Sequence, residues 1–260
     1  QMPVRIVSDG VVTRSARDTA AFYREAERVY RPLAMPPIGD LTRPGRKRLR
    51  VALNTSGLSR GADAEVTELT EQTARLLEDL GHTVIEVDAP APATFADDFL
   101  LYWAGLALAL ISGGRRLHGK SWTKAHHDEL TVGLARHARR NLHRLPGAIL
   151  RLRRSTHDAA LFFEKYDVSL TPTLATPTPK IGHLDPTQDY DVLIDRLQDW
   201  VAFTPLQNVT GTPAISLPLA TTSTGLPQGM MLGSGFGQEA VLLELAYELE
   251  QARPWARIQD

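Results

Sequence analysis

The chain has 260 residues, 43% hydrophobic and 23% charged, a balance that excludes a disordered chain and provides for one large core. With 29 Lys plus Arg against 30 Asp plus Glu, the overall charge selects no nucleic acid, membrane or acidic partner. The absence of cysteine removes disulfides, thiolate nucleophiles and Cys-ligated metals, and it favours a cytoplasmic setting, although many exported proteins also lack Cys.

The amino terminus carries no signal-peptide pattern, because Arg5 and Asp9 interrupt any apolar stretch. Gln1 stands either before a native Met2 or at a cut end. Ser15-Ala-Arg-Asp18 has the spacing in which a serine hydroxyl caps a backbone N–H three residues on. It predicts a helix from about Ser15 to Tyr30. The proline-rich stretch Pro32 to Pro44 reads as a connector, since each proline removes a donor and restrains the residue before it. Arg48 to Asn54 is a strand candidate. Asp63 is placed to cap a helix whose apolar positions Val66, Leu69, Leu76, Leu77 and Leu80 recur at helical spacing, with Gly81 as a left-handed stop. Thr83 to Val87 is the next strand, so Val51 to Val87 forms the strand-helix-strand crossover of a largely parallel sheet.

From Thr94 to Lys165 the pattern is helical, with breaks expected at Ser112-Gly-Gly114 and Pro146-Gly147. The apolar run Phe99 to Ile111 is shorter than the ~20 residues of a membrane span, which predicts a buried helix and no membrane partner. Tyr166 to Thr171 reads as a buried strand stopped by the prolines at 172, 177 and 179. Ile215 to Leu219 and Met230 to Leu232 are short strands, and Glu239 to Gln251 is an amphipathic closing helix. With no internal repeat, residues 1–260 are expected to form one α/β domain whose helical section covers about 94–165.

Three separated blocks carry a resemblance. They are Gly10-Val-Val-Thr-Arg14-Ser-Ala-Arg-Asp18-Thr-Ala20, Tyr166-Asp167-Val-Ser-Leu-Thr171-Pro172-Thr173, and the cassette from Phe203 through Asn208, Gly211 and Pro213-Ala-Ile-Ser-Leu-Pro218 to Pro254-Trp255. In content and order they resemble the carboxy-terminal portion of the amidase-signature hydrolases. The resemblance does not cover Ala89 to about Arg154. It departs from the family at Val11, where proline is common, at Met231, where glutamine is common, and at Gly233 to Gly237.

The resemblance implies part of the amidase-signature fold, a mixed, largely parallel sheet flanked by helices. It also implies hydrolysis of a carbon-nitrogen amide bond through an acyl-serine intermediate, with a small-molecule amide as substrate and no cofactor. Family members use a serine in a Gly/Ser-rich loop, a second serine in a cis peptide bond, and a lysine kept neutral in a low-dielectric site. No Gly-Gly-Ser-Ser-Gly-Gly-like stretch occurs in these 260 residues. No catalytic residue is therefore assigned, the missing amino-terminal portion is the expected partner, and the chain alone is expected to be inactive. By the same resemblance Thr173, Phe203 and Asn208 are the candidates for the pocket wall. Without any ligand, the Asn208-x-Thr-Gly211-x-Pro213 run is a helical turn closed by glycine, with proline starting a strand.

The remaining motifs have plain structural readings. Ser112-Gly-Gly114 reads as a helix terminus, Ser121 beside Lys120 as a cap, and Gly233-Ser-Gly-Phe-Gly237 as a turn. His126-His127-Asp128-Glu129 lacks the i, i+4 histidine pair of a zinc site and reads as an exposed polar turn, so no metal is expected. His82 reads as a surface residue. Arg136, Arg139, Arg140, His143 and Arg144 form a basic helical stripe opposite Leu134, Ala138, Leu142 and Leu145. A solvated face is the expected role, because no aromatic interleaving supports nucleic acid. Two alternatives stay open: a non-catalytic binding or scaffold protein using that basic face, and one subunit of a split hydrolase.

Overall fold

The structure is a computed structural model and describes residues 2–33, 35–119, 122–123 and 127–256. The expectations placed on Gln1, Lys120, Ser121 and His126 lie outside them.

Among the described residues, β1 (Arg50–Leu53), β2 (Thr83–Glu86), β3 (Val168–Pro172), β4 (Ala214–Thr221) and β5 (Pro227–Ser234) form one sheet in the order β2-β1-β3-β5-β4. β1 pairs in parallel with β2 and β3, while β5 is antiparallel to both β3 and β4. Only β5 therefore runs against the other four strands, which gives the largely parallel mixed sheet expected. Among the described residues there are eight α-helices, some against the sheet and some against each other: α1 (Ala16–Val29), α2 (Ala64–Asp79), α3 (Phe95–His118), α4 (Glu129–Arg140), α5 (Leu145–Lys165), α6 (Tyr190–Trp200), α7 (Pro205–Thr210) and α8 (Glu239–Ala252).

Helix starts follow local chemistry. Ser15 Oγ accepts from the Asp18 N–H at 3.1 Å, and Asp63 Oδ1 accepts from the Val66 N–H at 2.7 Å. Each satisfies a donor that the first turn leaves free. Gly81 takes φ 89° and turns the chain from α2 into β2.

Side chains alternate across the strands, so the sheet has two unlike faces. One presents Val51, Leu53, Val168, Leu170, Leu217, Leu219, Met230 and Leu232, buried beneath α2 and α8. The other carries small and hydroxyl residues and is the floor of the site described below.

The helical section departs from expectation in three places. α3 runs unbroken through Ser112-Gly-Gly114, because a Cβ at Gly114 would fall inside the Trp122 ring. The glycine admits a close neighbour and does not stop the helix. α3 is also longer than its most apolar run: Phe95–Gly114 is long and apolar enough, by length and composition, to cross a membrane, and 33% of it is buried. Packing against α4 and α5 accounts for the buried part. Pro146 sits in the first turn of α5, where its missing N–H costs nothing. α6 is an element beyond those expected from the sequence, and Asp189 Oδ1 starts it by accepting from the Asp191 N–H at 2.9 Å.

His82 is not a surface residue. Its side chain is 0% exposed, Nδ1 accepts from the Leu49 N–H at 3.0 Å, and Nε2 lies 3.1 Å from Glu248 Oε2. The basic stripe is also interrupted. α4 ends at Arg140, His143 and Arg144 sit on a separate 3-10 turn, and Leu142 is 53% exposed.

Candidate functional site

The second face of the sheet is built from β3, β5 and β4. Ser169 lies opposite Gly233, and Thr171 and Ser216 both lie opposite Met231. Just past β3 the Thr173 N–H donates to the Gly229 carbonyl at 2.9 Å. The Thr173 and Ser216 hydroxyls then meet at 2.7 Å. A Cβ on Gly229 would stand 2.7 Å from Ser216 Oγ and 2.9 Å from Thr173 Oγ1, and one on Gly233 would stand 2.7 Å from Ser169 Oγ. Two glycines four apart on β5 thus admit hydroxyls close to the backbone.

α7 lies against this face. Gly211 caps it at φ 71°, with its N–H donating to the Gln207 carbonyl at 2.9 Å. That is the glycine-closed turn which Asn208 to Pro213 predicted. Phe203 is 4% exposed and packs with Ala175, Ala202 and Met231. Asn208 is half-buried, and its carboxamide has no hydrogen-bond partner among the described residues. Gln207 Oε1 is buried and likewise without a partner among them.

Two spaces adjoin the face, and a third meets one of them at α7. A cavity of about 30 Å³ lies inside, lined by Ser169, Thr171, Phe203 and Gln207. A groove of about 730 Å³ runs along β4 past Ala214, Ser216 and Pro218. An apolar groove of about 670 Å³ lies between α3, α4 and α6. Thr204 and Asn208 line both grooves. The three pocket candidates therefore do not line one space. Asn208 faces both grooves, Phe203 walls the interior cavity, and Thr173 touches the β4 groove through Ser216. Ser216, Thr204 and Gln207 were missed. Ser216 was within reach of the sequence, since it sits two residues after Ala214 in a strand of alternating faces.

The site's chemistry is largely uncharged. Among the described residues no ionisable side chain lines the apolar groove, and Asp9 and Glu239 are the acids along the β4 groove. Burial, followed by the Glu239 charge, pushes the nearby Tyr23 phenol up. Among the described residues no three His, Asp or Glu gather as metal ligands, and no hydrogen bond joins a lysine to a serine or threonine hydroxyl. Lys47 is held instead by Asp167 at 2.6 Å. On the distant helical side, Arg151 grips the buried Asp98 at 2.7 and 2.6 Å, while Arg136, Arg139 and Arg140 are exposed.

Residues 1–243 match the sequence profile of the Amidase family. The chain belongs to the amidase family. This amidase-family chain is 59% identical over 259 residues to a Mycobacterium tuberculosis protein that carries the provisional name amidase AmiC; the match covers 99% of this chain and 54% of that one. A solved 6-aminohexanoate cyclic dimer hydrolase, complexed with its substrate, superposes with TM-score 0.74 at 26% identity, over 93% of this chain and 54% of that one. A bacterial aryl acylamidase of the amidase-signature enzymes shares the fold, with TM-score 0.76 at 20% identity over 97% of this chain and 54% of that one. The chain thus spans about half the length of the curated relatives it matches.

Proposed function

We propose that this chain is the substrate-holding part of an amide hydrolase whose acyl-serine chemistry is supplied by a segment outside these 260 residues. The observation that carries this reading is the edge of β4. Among the described residues β4 pairs only with β5, and the open groove of about 730 Å³ runs along it past the Thr173–Ser216 hydroxyl pair.

An unpaired strand edge offers a row of backbone donors and acceptors to another segment. A strand added there would carry its side chains onto the glycine and hydroxyl face. In the reaction a serine oxygen attacks the amide carbonyl, the amine leaves, and water releases the acid from the acyl-serine. This chain would contribute binding groups to that sequence. The Asn208 carboxamide and the Thr204 hydroxyl have no protein partner among the described residues and can meet the polar end of an amide, while Ser216 and Thr173 form the floor. The partner is the amino-terminal portion expected from the sequence, and the substrate a small amide.

The test is reconstitution from two polypeptides, this chain and the remainder of a full-length relative. The two are expected to co-purify, to hydrolyse an aryl amide, and to protect β4 amides from hydrogen exchange beyond their protection in this chain alone. An active complex whose β4 amides exchange as fast as before would overturn the placement.

A further inference from the structure

The apolar groove is built from facing helical stripes. Phe99, Trp103, Leu106 and Leu110 recur along one side of α3, and Ile194 and Leu197 of α6, with Val201 just past its end, also line the groove. Such spacing ordinarily marks a face that another element covers. Here the stripes enclose about 670 Å³, within the range of ~300–1,000 Å³ typical of small-molecule sites. Leu110 remains 49% exposed.

Two further features point to the occupant. Among the described residues the groove has no ionisable lining, so a charged group would lose its hydration against them without compensation. Its Thr204 and Asn208 are also the residues it shares with the β4 groove, and neither side chain is hydrogen-bonded among the described residues. The space is therefore oily along its length, with unsatisfied neutral polar groups where it meets the β4 groove.

We propose that this groove takes the hydrocarbon part of an uncharged amide with an extended aliphatic acyl chain, the amide group lying at Thr204 and Asn208. This rests on the amide-hydrolase reading for the identity of the polar group; the preference for a long neutral chain comes from the groove itself. Each methylene buried contributes ~0.8 kcal/mol, so affinity rises about fourfold per carbon until the groove is full and then levels off.

The test uses linear primary amides from butanamide to decanamide, titrated calorimetrically into this chain, and the matching acyl 4-nitroanilides for kcat/KM in the two-polypeptide enzyme. The expected result is a rise of about fourfold per carbon followed by a plateau, in both series. Gln198→Trp places a ring in the groove from the surface of α6 and is expected to bring the plateau to shorter chains. Leu110→Gln is expected to weaken only the longer members. Length-independent binding, a rise without a plateau, or plateaus unmoved in both folded variants would overturn the proposal. So would length dependence in this chain that vanishes in the assembled enzyme, because the remaining segment would then fill the groove. If the assembled enzyme hydrolyses short amides without length preference, this inference fails and the amidase reading stands. If long amides bind with a plateau but the assembly never hydrolyses them, the reading fails and the groove stands.

Discussion

The Oγ atoms of Thr173 and Ser216 meet at 2.7 Å over Gly229, joining the end of β3 to β4 across β5. The contact exists because position 229 has no Cβ. Gly229→Ala is expected to force the hydroxyls apart and to destabilise the fold by ~1–3 kcal/mol, the usual cost of overpacking. In a Ser216→Ala background the cost should fall, since one of the two crowding atoms is gone. Urea unfolding of the four proteins gives the coupling directly.

Asp167 sets an acid limit on stability. Burial alone would raise its carboxyl, but the Arg50 N–H, the Lys47 ammonium and the Arg50 charge outweigh burial and hold it below the ordinary aspartate value. A carboxylate lowered in the folded state stabilises fully above the unfolded value of about 3.9, and that contribution is lost as pH falls through the lowered one. Asp167→Asn should therefore be less stable than wild type at pH 6, and the two urea midpoints should converge as the pH drops below about 4.

Tyr190 behaves oppositely. Burial, followed by the Asp191 charge, pushes its phenol up to about 12, and its hydroxyl is buried without a partner among the described residues. The neutral form is the one the fold favours, so stability from this group is present below the ordinary value near 10 and lost as pH rises through about 12. Removing an unpaired buried hydroxyl spares its desolvation. Tyr190→Phe is expected to be neutral or stabilising by up to ~1 kcal/mol at pH 7, and to remove one late-titrating tyrosine from the absorbance curve at alkaline pH.

His82 is held in one tautomer. Because Nδ1 accepts from the Leu49 N–H, the ring proton resides on Nε2 and donates to Glu248. Long-range nitrogen-proton NMR spectra should show the neutral ring as the Nε2–H tautomer. His82→Ala should lower the urea midpoint, since it leaves the Leu49 donor buried without its acceptor.

These residues also show where sequence reasoning reaches. Ser15, Asp63 and Gly211 act through atoms a few positions away, and their capping roles were legible because local spacing fixes them. The strands and the sheet class followed from the same kind of pattern. His82 was misread because its burial comes from Leu49 and Glu248, 33 and 166 positions distant, where no local pattern reports it. Gly114 was taken for a helix stop because the Trp122 ring that requires it is a tertiary neighbour. The site was half legible: the cassette located α7 and β4, but the Thr173–Ser216 pairing depends on the register of β5 between them. Phe203 and Asn208, five residues apart, face different spaces for a similar reason, since Phe203 packs inward ahead of α7 while Asn208 on α7 lines the grooves.

On the proposed reading this chain holds the substrate while the nucleophile lies elsewhere. The most direct measurement is labelling by a serine-directed fluorophosphonate, with aryl-amide hydrolysis followed in parallel, on the folded 260-residue chain alone and after assembly with the remaining segment of a full-length relative. The account predicts no labelling and no hydrolysis by the chain alone, and after assembly both hydrolysis and a label carried by the added segment. Labelling of a serine within this chain, or hydrolysis by it alone, would contradict the account.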